Sequence, residues 1–143
     1  MNTSRFPNRW CSVADGVAPA GGRPLRLALA VLLASVCVSL FFVVRLQPTS
    51  AGAFAFLAVW LAVPHGAMTA LLIALQRRGK PLLPWCVAAV PVALGGLYVL
   101  ADAIFWHPDA QGAIAVVLTP VLQGVAFLIA APLAWWAGRR MRG

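Results

Sequence analysis

The sequence predicts an all-α integral membrane protein, a four-helix bundle with both termini on the cytoplasmic side. Three observations carry this expectation: an extreme apolar composition, four long apolar runs, and basic residues concentrated at alternate span ends. Of the 143 residues, 62% are apolar and only 10% are charged, against roughly 45–50% and 25% in soluble domains. Mean hydropathy is +0.89. A soluble fold of this size leaves too much surface in water to hide so many apolar side chains, so the solvent for that surface is lipid.

Four runs follow one another, at about 27–44, 53–75, 82–104 and 112–137. Each is close to or above the ~20 residues that cross a ~30 Å hydrocarbon core as a helix. A single open-ended segment in lipid pairs its own backbone N–H and C=O groups only as a helix. Residues 1–26 carry Pro7, Pro19, Pro24 and several glycines and read as a flexible basic tail without an apolar period. Pro24 suits the opening turn of the first helix. Residues 138–143 form a second, short basic tail. The first run is longer than the ~7–15 residues of a signal-peptide core and follows a long basic segment, so it reads as a retained span.

Orientation follows from the cations. Arg5, Arg9, Arg23 and Arg26 precede span one. Arg77, Arg78 and Lys80 lie between spans two and three, and Arg139, Arg140 and Arg142 follow span four. Of the 11 cations only Arg45 falls on the other side, which puts both termini in the cytoplasm by the positive-inside rule. Trp85, Trp135 and Trp136 near the cytoplasmic ends, and Phe105 and Trp106 near the outer end of span three, fit the interfacial aromatic belts. The Arg-over-Lys bias and abundant Ala point to a GC-rich bacterial genome and hence a bacterial inner membrane.

Helices in lipid associate through small residues that let backbones approach. Span two offers Ala58, Ala62, Gly66, Ala70 and Ala74 at intervals of four, and span four offers Ala126, Ala130 and Ala134, with Gly138 beyond. Span three adds Ala89, Ala93, Gly95, Gly96 and Ala101. These stripes serve contacts within the chain or between chains equally well.

His65 and Gln123 stand near mid-depth of spans two and four, with Thr69 one turn after His65. Their helical offsets set them on or beside the small-residue stripes, turned toward the bundle. Pro64 and Pro120 stand close by and free the carbonyls of Trp60 and Val116 from their usual donors. One reading makes His65, Gln123 and Thr69 the lining of an intramembrane site for protons, a quinone or a haem. The plainer reading is interhelical hydrogen bonding, worth ~0.6–2 kcal/mol, and it is preferred.

Several chemistries lack their residues. No Glu occurs anywhere, which removes transport coupled to an embedded glutamate. Cys11, Cys37 and Cys86 form no close pair for a disulfide relay or a zinc site. His107 is the only other histidine and sits in the third loop, so one chain holds no bis-histidine haem site. His107 with Asp102 and Asp109 fits no established metal-ligand spacing; Asp109 suits an N-cap for span four. No nucleophile–base set or phosphate loop is present, and each connection is about ten residues or fewer. The net charge of +8 is accounted for by topology and anionic headgroups rather than nucleic acid.

The expectation is therefore a non-catalytic multi-pass protein without cofactor or metal. Its partners are the lipid bilayer, other membrane-protein helices, or copies of itself. The alternative is a small transporter or channel centred on His65 and Gln123.

Overall fold

The computed structural model describes residues 22–48, 50–106 and 112–141. The expected tail before residue 22, His107, Asp109 and Arg142 lie outside the described residues. Among these residues there are four α-helices: α1 (Gly22–Arg45), α2 (Ala51–Arg77), α3 (Leu83–Ala101) and α4 (Gly112–Arg140). A π-helical segment, Asp102–Trp106, continues α3. All four are long and apolar enough to cross a membrane, α3 when taken together with its π-helical continuation.

Each helix differs from its apolar run at the ends, and α1 differs most. It begins at Gly22 rather than near residue 27, with Pro24 inside its first turn. Proline is tolerated there because the first N–H groups of a helix have no intrahelical acceptor. Arg45, Arg77, Arg139 and Arg140 extend the C-terminal turns of α1, α2 and α4, where a cation meets the negative end of the helix dipole.

The turn between α1 and α2 is closed by two local devices. Gln47 takes a left-handed φ of 46°. Ser50 caps α2, its Oγ accepting from the Ala53 amide at 3.1 Å. The other end of α2 closes in a Schellman motif. Gly79, with φ 61°, donates to the Gln76 carbonyl at 2.9 Å, and Lys80 donates to Leu75 at 3.0 Å. Glycine adopts this conformation without the steric cost of a Cβ.

Helix α3 packs most extensively on α4, and α1 packs on both α2 and α3. Helices α2 and α4 touch along a smaller seam, while α1 and α4 lie diagonally across the bundle. Arg23, Arg26, Arg77, Arg78, Lys80, Arg139 and Arg140 thereby gather at one end, the basic end, with Arg45 at the other.

Two apolar clusters form the core. One lies toward the basic end and joins Leu25, Ala28 and Leu32 of α1 to Met68 and Leu72 of α2 and to Cys86, Ala89 and Ala93 of α3. The other joins Phe42 and Val43 to Leu61, Leu100 and Val116. Phe105, from the π-helical segment, meets Phe42 edge-on at 5.5 Å.

Candidate functional site

Between the two apolar clusters lies a polar layer. Along α1, Ser35 and Ser39 fall between Leu32 of one cluster and Phe42 of the other. Along α2, His65 falls between Leu61 and Met68. Along α4, Thr119 and Gln123 lie between Val116 and Phe127. On α3 the same level is occupied by Gly96, between Ala93 and Leu100. All five polar side chains are at most 4% exposed, His65 and Gln123 among them.

Their bonding is uneven. The His65 Nδ1–H donates to the Leu61 carbonyl of its own helix at 3.1 Å. A carbonyl only accepts, so Nδ1 carries a proton, and in the neutral ring Nε2 is left as an acceptor. Nε2 has no hydrogen-bond partner, and neither do the Ser35 and Ser39 hydroxyls. Thr119 donates to Ala115, again within its helix, at 2.7 Å. Of these five, Gln123 alone reaches across helices among the described residues, donating from Nε2 to the Ala93 carbonyl of α3 at 3.4 Å. No hydrogen bond links His65 to Gln123, and Thr69 is half-buried one turn from His65.

The approach of α3 to α4 depends on glycine. A Cβ built on Gly96 would overlap the Gln123 side chain, including its Cγ at 2.7 Å. Beside this contact an open groove of about 370 Å³ runs between α3 and α4, lined by Pro91, Gly95, Val99, Leu122 and Ala126 among others.

Comparison of the chain with family models, with curated proteins and with solved structures gives no match.

The small-residue stripes divide by helix. Ala89, Ala93 and Gly96 of α3 are buried, as are Ala134 and Gly138 of α4, whereas Ala130 is half-buried and Ala126 exposed. On α2, Ala58 and Ala62 are half-buried, but Gly66, Ala70 and Ala74 face outward. A Cβ at Gly66 would meet nothing within 4 Å. Toward the basic end this face opens into a depression of about 500 Å³ lined by Ala70, Ile73, Ala74, Arg77 and Arg78.

Further contributors went unread in the sequence. Trp60 donates its indole N–H to the Val117 carbonyl of α4 at 2.8 Å, joining α2 to α4. Pro120, one turn on, was the available signal, since it disturbs the carbonyl ladder at that level. Ser35 and Ser39 are serines on an apolar helix with no sequence signal of their own, yet they belong to the same layer as His65. Gly96 gave no sign of its fit to Gln123.

Proposed function

We propose that this is a non-catalytic accessory protein of a bacterial inner membrane, acting through helix–helix contact with another membrane protein. Both termini are cytoplasmic in this reading, on the warrant of the basic end. The observation that carries it is the outward face of α2. Gly66, Ala70 and Ala74 are exposed at helical spacing and lead into a depression, while no described helix covers Gly66. Lipid gains nothing from small residues, whereas a partner helix gains close backbone approach. A second copy packed on this face in parallel would bring two Arg77–Arg78 pairs together without an acid between them. Like charges at such range repel, which favours a different membrane protein as the occupant. Native mass spectrometry of the gently extracted chain tests this: a defined hetero-complex supports it, and a lone monomer or homo-oligomer contradicts it.

The polar layer favours a second reading, a small transporter or channel with His65 and Gln123 at its centre. Unpartnered buried polar atoms at His65, Ser35 and Ser39 cost free energy in a dry interior, which water or a translocated ion would recover. In this reading His65→Ala abolishes a flux while the folded protein stays in the membrane; an unchanged flux removes it.

A further inference from the structure

We infer that the basic end carries a binding cleft for the phosphate headgroup of an anionic phospholipid. The cleft has a volume of about 420 Å³ and is bounded by Lys80, Pro81, Trp85, Trp135, Gly138 and Arg139. It thus lies where the α2–α3 connection meets the last turns of α4.

Its parts are held in place before any ligand arrives. The Schellman motif fixes the Lys80 backbone through its bond to Leu75. The connection then docks on α4 at Gly138, where an added Cβ would stand 3.1 Å from Pro81 Cγ. On α4, the Arg139 guanidinium stacks over the Trp135 ring at 3.7 Å, a cation–π contact that restrains a long side chain.

The chemistry selects the ligand. Lys80 and Arg139 are exposed, and the only acid among the described residues, Asp102, begins the segment after α3, at the far end of the bundle. Two cations without a carboxylate call for an anion. Arginine matches phosphate oxygens in its planar fork, and lysine adds a point charge. Trp85 and Trp135 are interfacial residue types, and Leu75 and Pro81 complete an apolar flank. A free phosphate would use the cations alone; a phospholipid uses the apolar flank as well. Basic pockets between transmembrane helices at this depth suit such headgroups.

The full chain, delipidated in mild detergent, would be titrated with phosphatidylglycerol, phosphatidylcholine or soluble glycerol phosphate, and retained adducts read by native mass spectrometry. Phosphatidylglycerol is expected to be retained in preference to phosphatidylcholine. Lys80→Ala or Arg139→Ala should each weaken retention about 5-fold, and the pair together roughly 25-fold, from ~1 kcal/mol per cation near a headgroup. Arg45→Ala, at the opposite end, should leave it unchanged. Equal retention of phosphatidylcholine by the unmodified protein would overturn the proposal, as would full retention by the double variant. Displacement of the lipid by glycerol phosphate at equal concentration would overturn the lipid assignment in favour of a small phosphate ligand.

Discussion

The side chain of Gln123 on α4 occupies the space that a Cβ would take at Gly96 on α3. From there its Nε2 donates to the Ala93 carbonyl, one turn back along α3. The missing side chain at one position is thus the condition for the interhelical hydrogen bond at the other, and this pair sits at mid-level in the most extensive helix contact of the bundle.

Gly96→Ala should therefore destabilise the protein by about 1–3 kcal/mol, the usual cost of overpacking. Adding Gln123→Ala should recover most of that loss, because the overlapping atoms are gone. Equilibrium denaturation in mixed micelles, run as a double-mutant cycle, checks the coupling. Strict additivity of the two substitutions would contradict the fit.

Ser35 and Ser39 make the opposite case. Their hydroxyls are buried without partners, so Ser→Ala at either position removes an unsatisfied group and should be neutral or stabilising by up to about 1 kcal/mol. Loss of more than that on the same denaturation assay would mean that the hydroxyls are satisfied by water or a ligand, and weight would pass to the transport reading.

Trp60→Phe keeps an aromatic ring beside Phe56, which stacks at 6.1 Å, but removes the donor to the Val117 carbonyl. A loss of ~0.6–1.5 kcal/mol is expected, within the range for interhelical hydrogen bonds in membranes. An unchanged denaturation midpoint would show that the indole bond does not help hold α2 to α4.

The proposed topology has a direct readout. In a cysteine-free background, a membrane-impermeant maleimide applied to intact cells should label Leu46→Cys and leave Arg78→Cys unlabelled. The reverse pattern would invert the bundle in its membrane.

Much of the bundle was legible in the sequence because lipid imposes a simple code. Apolar length gave the four helices. The mid-depth placement of His65 and Gln123 predicted inward burial, and both are buried. What one sequence did not carry was rotation about each helix axis. The stripe of α2 reads the same whether Gly66 faces a neighbour in the chain or the outside, and only the bundle decides between them. The fit of Gly96 to Gln123 joins residues 27 positions apart on different helices, a relation that no local period encodes. Helix ends differed for a related reason: hydropathy marks where lipid contact stops, whereas the hydrogen-bond ladder runs on, through Arg23 and Arg26 in α1 and to Arg140 in α4.

The central claim, that the outward face of α2 meets a partner helix, is tested most directly by Gly66→Leu. Because a Cβ there would meet nothing within 4 Å among the described residues beyond its own helix, the substitution should leave the denaturation midpoint of the isolated protein within about 0.5 kcal/mol of the parent, as for a surface change. Native mass spectrometry from the host membrane should then find the unmodified chain in a stoichiometric complex with another membrane protein and the Gly66→Leu chain alone. A complex that survives the substitution, or an unmodified chain that emerges alone, would contradict the account.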